Sequence, residues 1–148
     1  MYIDCTAVKG ENTSFSCGIN IVSDTTTKIT KLNNSDFSPF PLSGVDENGD
    51  YYGYSIIFRI LGAPTADAKV LVEHVITANT DIDTEGQITD SANGQFTFVI
   101  SKEDTEVLGL GKFPIQICLV DEDTLENVYT LTLGGERDEF SKVQIVQV

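Results

Sequence analysis

The chain has 148 residues, 41% of them hydrophobic, which suits one domain with a real core and argues against disorder. Its net charge of −14 repels phosphate backbones and anionic headgroups, so nucleic acid and membrane surfaces are not expected partners. Ile, Val, Phe, Tyr and Thr are abundant and Trp is absent, a mixture suited to pleated, half-buried strands.

The opening Met1-Tyr2-Ile3-Asp4-Cys5 has no basic or apolar leader region, so synthesis in the cytoplasm without a signal peptide is expected. Strand-like runs follow at 2–8, 15–22 and 26–32, the first ended by Lys9-Gly10-Glu11-Asn12. Residues 33–43, with Pro39 and Pro41, read as a loop or extended connector. Asn48-Gly49, inside an acidic turn, has the chemistry of a type I′ hairpin. The run at 51–61 puts Tyr54, Ile56, Phe58 and Ile60 on one face and Ser55 and Arg59 on the other. After Gly62-Ala63-Pro64, the run at 69–78 aligns Val70, Val72, His74 and Ile76.

Residues 79–93 are polar and acidic, with a short strand expected near 87–89 and a tight turn at Asn93-Gly94. The run at 95–101 turns Phe96, Phe98 and Ile100 one way. Residues 102–108 fit one helical turn, with Ser101 as N-cap, Glu103 and Asp104 at its positive end, and Gly109 and Gly111 stopping it. The run at 112–120 aligns Phe113, Ile115, Ile117 and Leu119; Pro114 cannot donate to a ladder and belongs at the strand's start or on an edge. Asp121-Glu122-Asp123 is a turn, and runs at 125–133 and 142–148, divided by Gly134-Gly135 and a charged loop, close the chain. Roughly eight to ten short strands at near-regular spacing define an all-β domain, a sandwich or small barrel.

Chemistry is sparse. His74 is the sole histidine and lies mid-strand, so its expected role is structural and no catalytic residue is assigned. Paired carboxylates abound, but a glycosidase cleft usually carries aromatic walls and this chain has no Trp. Asp81, Asp83 and Glu85, followed by Gly86, imitate the start of a calcium loop. The position for its closing bidentate Glu is Ala92, so a solvated acidic loop over 81–90 outweighs an ion site, and no metal or cofactor is assigned. Cys5, Cys17 and Cys118 match no zinc spacing. Cys118 falls in an alternating run and reads as a packed side chain; Cys5 and Cys17 can pair only if their strands are neighbours, which spacing leaves open.

The order of features from Leu42 onward carries a resemblance. Leu42-Ser43-Gly44 precedes the strand bearing Ile57-Phe58-Arg59-Ile60; Asn93-Gly94-Gln95-Phe96-Thr97-Phe98 follows, then Ser101-Lys102-Glu103-Asp104-Thr105, then Gly111-Lys112-Phe113 and an Asp-rich turn. This order resembles the immunoglobulin-like domains of tailed-phage virion proteins, notably the N-terminal domain of baseplate upper proteins, and similar domains of head decoration and auxiliary capsid proteins. The resemblance implies an immunoglobulin-like antiparallel β-sandwich over 42–148, with 1–41 as an arm or extra strands that dock on a neighbouring subunit. It further implies a non-enzymatic virion structural protein. Head decoration stands ahead of baseplate or tail, because baseplate upper proteins continue beyond such a domain and this chain stops at Val148. Its partners would be major capsid or tail and baseplate proteins, with homo-oligomers allowed. The alternative is a carbohydrate- or calcium-dependent binding module.

Overall fold

The computed structural model describes residues 3–23, 26–32, 38–65, 67–130 and 141–148; for 20–23, 26–32 and 38 it describes the backbone. Residues 33–37 of the connector expected over 33–43, and the Gly134-Gly135 loop, lie outside the described residues. The chain enters as β1 (Asp4–Val8), β2 (Thr13–Ser23), β3 (Thr26–Leu32) and a two-residue β4 (Ser38–Pro39). A hairpin of β5 (Ser43–Val45) and β6 (Tyr51–Leu61) leads to β7 (Val70–Ile76). Then come β8 (Ile88–Asp90), a 3-10 turn (Ser91–Asn93), β9 (Gln95–Ile100), α1 (Lys102–Leu108), β10 (Gly111–Asp121), β11 (Asn127–Thr130) and β12 (Lys142–Val146). The all-β expectation holds.

The larger sheet runs β1-β12-β10-β6-β5, with β7 also on β6 and β11 also on β10. The smaller runs β3-β2-β9-β8, with β4 on β2. The expected purely antiparallel arrangement is corrected at one pair: β1 lies parallel to β12, from Asp4 opposite Lys142 to Val8 opposite Val146. Parallel neighbours need a long connection, and here the domain between the first and last strands is that connection. Residues 1–41 were expected to be an arm or extra strands; β1 joins the larger sheet and β2 pairs with β9 from Thr13↔Ile100 to Gly18↔Gln95.

Period-2 alternation fixes which face of each strand is buried. Ile56, Phe58 and Ile60 of β6 and Ile115, Ile117 and Leu119 of β10 meet Phe96, Phe98 and Ile100 of β9 in one cluster. Its centre is a stack of rings: Phe58 and Phe98, from opposite sheets, lie 4.7 Å apart, and Phe15 packs on Phe98 at 5.0 Å. The opposite face of the larger sheet is less polar than the alternation suggests, because Ile57, Val75, Cys118 and Val120 form a second cluster there. Beside it, Arg59 Nε donates to Glu73 at 2.7 Å and Nη1 to Gln116 at 3.1 Å.

One turn differs from expectation. In the β5–β6 turn, Gly49 has φ +83° while Asn48 does not have positive φ, so the type I′ reading is replaced. The Asp46 carboxylate accepts from Asn48 N at 2.9 Å and Asp50 N at 3.0 Å, holding a right-handed turn that closes through one left-handed glycine. The tight turn expected at Asn93-Gly94 is present, as a 3-10 turn capped by Asp90 with Gly94 left-handed. Pro114 is placed within β10 where its missing donor costs nothing. Ile115 N–H points to Ser141 O on the β12 side, so Pro114 N faces the β6 side, where pairing stops at Ile115↔Ile60.

Candidate functional site

His74–Asp104 is a titratable pair more buried than the equally close Arg59–Glu73. His74 projects from β7 toward α1, its ring parallel to that of Phe58, and its Nε2 lies 2.7 Å from Asp104 Oδ2. Asp104 is the third residue of α1 and completes a capping box. Its carboxylate accepts from Ser101 N at 2.8 Å, and its own N–H donates to Ser101 Oγ at 3.1 Å. The hydrogen bond to Asp104 raises the His74 pKa against the opposing effect of burial, with Asp104 and Glu85 charges adding to the rise. Burial alone would raise the Asp104 carboxyl, but the hydrogen bonds from His74 and Ser101 outweigh it and hold it below its usual value. The His74 ring thus has the Asp104 carboxylate as a close partner. This contact ties α1 to β7.

The acidic loop after β7 is closed by its own hydrogen bonds. Thr80 Oγ1 lies 2.5 Å from Gly86 O, and both Glu85 N and Gly86 N donate to Asp81 O. Gly86, at φ +110°, sits so close to the Thr97 carbonyl that a Cβ would overlap it, and Gln87 pairs with Thr97 through both backbones. Of the three candidate calcium ligands, Asp81 uses Oδ1 to accept from Asp83 N at 2.8 Å. Among the described residues no three His, Cys, Asp or Glu side chains converge as a metal site, so Asp81, Asp83 and Glu85 are not brought together.

The three thiols are free. Cys5 and Cys17 sit on different sheets and both pack against the main core. Burial pushes each up to about 12, with Asp4 adding to the rise at Cys5 and Cys5 at Cys17. Cys118 faces the other way, into the second cluster.

A cleft of about 130 Å³ opens on one edge of β6. Its origin is register. β5 pairs with β6 only at 51–53 and β7 only from Ile56 onward, and both lie on the side of β6 away from β10, which leaves a notch at Tyr54 and Ser55. Leu42 O accepts from Tyr54 N at 2.8 Å at one rim, and Ile88 N donates to Thr77 O at 2.9 Å at the other. Ser43 Oγ and Ser91 Oγ are 3.0 Å apart on the wall. Glu122 closes the third side. Its N–H donates to Gly53 O at 3.1 Å, and its carboxylate lies where a Cβ on Gly53 would be. A hydrogen bond to Glu122 raises the Tyr51 phenol pKa.

No local sequence pattern marks the whole of this notch. Its parts come from Leu42-Ser43, Tyr51–Ser55, Thr77-Ala78, Ile88, Ser91 and Glu122, and only the pairing register joins them. The nearest local signal is the run Tyr51-Tyr52-Gly53-Tyr54-Ser55, where exposed Tyr51 stands near the bare Gly53 against which Glu122 lies. No protein-family model and no curated protein matches the chain.

Proposed function

We propose that this chain is an immunoglobulin-like module that works by binding and assembly rather than catalysis, as a structural component of a phage particle. The observation that carries the reading is the topology. In this reading β2, β9 and β8 would correspond to strands B, E and D, and β6, β10 and β12 to C, F and G, with β7 beside C, an assignment that the strand order supports. β1 flanks the last strand in parallel, and the helix α1 bridges the two sheets between β9 and β10. The antibody-type disulfide has no counterpart, because Cys17 of β2 faces the core while Cys118 of β10 faces away from it; the stacked Phe58 and Phe98 fill the centre instead.

The reading also draws on the phage-domain resemblance, whose stretches lie on successive elements of the fold. Leu42-Ser43-Gly44 leads into β5, Gln95–Ile100 forms β9, the Ser101 segment caps α1, and Gly111-Lys112-Phe113 opens β10. A non-catalytic role agrees with a lone histidine committed to a helix cap. Head decoration is the preferred place, baseplate or tail the second. The test is quantitative mass spectrometry of purified particles from cells producing the protein. Recovery in the particle fraction supports the reading, with copies in the hundreds for a head and far fewer for a baseplate. Recovery only as free protein that binds neither capsid nor tail protein refutes it.

A further inference from the structure

We infer that Asn48 is a site of spontaneous covalent modification, losing its side-chain amide through a cyclic imide, and that the fold protects Asn93 in the same Asn-Gly dipeptide. Asn48-Gly49 and Asn93-Gly94 are the two such dipeptides of the chain. In each, glycine leaves its own amide nitrogen unshielded by a Cβ, so that nitrogen can reach the asparagine side-chain carbonyl. Reaction then needs two freedoms. The asparagine side chain must turn back onto the chain, and the peptide that follows it must swing to meet it.

Asn48 has both. It is exposed at the tip of the β5–β6 hairpin, and its side-chain amide has no hydrogen-bond partner among the described residues. Its backbone N–H alone is held, by the Asp46 carboxylate at 2.9 Å. Gly49 is exposed too, with open space where a Cβ would stand. The restraint on its nitrogen is a 3.0 Å hydrogen bond to Asp46 O, in a solvent-exposed turn that opens locally at low cost. Asn93 is exposed as well but has neither freedom. Its Nδ2 donates to Asp90 Oδ2 at 2.8 Å and its backbone N–H to Asp90 Oδ1 at 3.3 Å, which ties the side chain to that carboxylate. Gly94 is buried, its carbonyl accepts from Ile19 N of β2 at 2.9 Å, and the Phe40 carbonyl lies where its Cβ would be. The peptide between Asn93 and Gly94 cannot swing without breaking that tie to β2.

Water is the co-reactant. The Gly49 nitrogen gives up its proton and bonds to Asn48 Cγ, and the Cγ–Nδ2 bond breaks as ammonia leaves with that proton. Water then opens the imide at either carbonyl. One opening gives an aspartyl residue; the other leaves the chain running through Cγ, an isoaspartyl link. Each product adds a negative charge to the chain's −14. The isoaspartyl link also lengthens the backbone inside the turn that Asp46 organises, so it loosens the Val45↔Tyr51 pairing from its end.

The test incubates the full chain at mildly alkaline pH, native and in guanidinium chloride, and follows both sites by peptide mapping and mass spectrometry. Enzymatic methylation reads the isoaspartyl content. In the native protein Asn48 should convert at least about tenfold faster than Asn93, since each hydrogen bond that must first open at Asn93-Gly94 slows reaction there by up to about tenfold. In guanidinium chloride the two sites should convert at similar rates, because the dipeptide alone then decides. Asn48 keeping its amide in the native protein, or Asn93 converting there as fast as Asn48, overturns the inference. So does a difference between the sites that persists in guanidinium chloride, which would place its cause in the neighbouring sequence rather than in the fold.

Discussion

Replacing Asp104 by alanine removes one carboxylate from two jobs at once. In the native protein it accepts from Ser101 N at 2.8 Å and pairs with His74 Nε2 at 2.7 Å, with side-chain exposures of 14% for His74 and 11% for Asp104. Losing a capping interaction costs about 1 kcal/mol. Losing a hydrogen bond to a charged partner costs about 1.5–3 kcal/mol, and the two losses overlap because water can enter once the carboxylate is gone. The expected destabilisation is therefore ~2–4 kcal/mol, a drop in Tm of roughly 5–15 °C for a chain of this size. The pH dependence follows from the two shifts. His74 has a raised pKa in the folded state, so its contribution is complete below its unfolded value near 6.5 and is lost as pH rises through the folded value. Asp104 has a lowered one, so its contribution is present above 3.8 and is lost as pH falls through the folded value. Stability from the pair is greatest between these limits. Calorimetry across pH 4–9 on the parent and on His74→Ala isolates it, since general charge repulsion affects both proteins alike. An alkaline decline of the parent's Tm that persists unchanged in His74→Ala would refute the ion pair, and so would a loss under ~1 kcal/mol in Asp104→Ala.

Three further outcomes are expected. Phe58→Ala empties the centre of the ring stack and should cost about 3–5 kcal/mol in urea unfolding, whereas Phe58→Leu should cost under about 1.5 kcal/mol. Gly86→Ala forces a Cβ at φ +110° against the Thr97 carbonyl. It should destabilise by ~2 kcal/mol or more and speed amide exchange at Gln87 and Thr97 ahead of the rest of the sheet. The thiols of Cys5 and Cys17, pushed up to about 12, should resist iodoacetamide at pH 8 in the native protein and react readily after unfolding in urea.

The strands were legible because they declare themselves locally. Tyr51–Leu61 and Gly111–Asp121 alternate cleanly, and alternation alone decides the buried face. The capped helix was equally local, with Ser101, Asp104 and Gly109 marking its ends. What no local pattern encodes is which edges meet. The parallel pairing of β1 with β12 joins residues far apart in the chain, and both strands would look the same in either direction. The notch depends on β5 and β7 sharing one edge of β6 with a gap between them, a property of register. The β5–β6 turn misled for a different reason: Asn48-Gly49 has I′ chemistry, but the Asp46 carboxylate captures two backbone donors first.

That last contact is one of a set, and the set accounts for part of the charge of −14. Asp46, Asp81, Asp90 and Asp121 each accept a backbone N–H two to four residues ahead, at Asn48 and Asp50, Asp83, Asn93, and Asp123 and Thr124. These carboxylates form turns between strands, so their function needs an acceptor oxygen and not a charge. Asparagine supplies the same oxygen. Replacing all four by Asn should keep the fold and, at low salt, match or exceed the parent's Tm, because four mutually repelling charges leave an already acidic surface. Replacing all four by Ala should lower Tm, since the turns lose their acceptors. The acid limb provides a separate readout at Asp121, whose pKa is lowered by the backbone N–H groups of Thr124 and Asp123. Its contribution is present above its unfolded value and fades as pH falls through the lowered folded one, and an Asn there removes that dependence. If the fourfold Asn protein instead unfolds at low salt while the parent does not, the charges themselves are required, and the acidic turns must be holding something cationic.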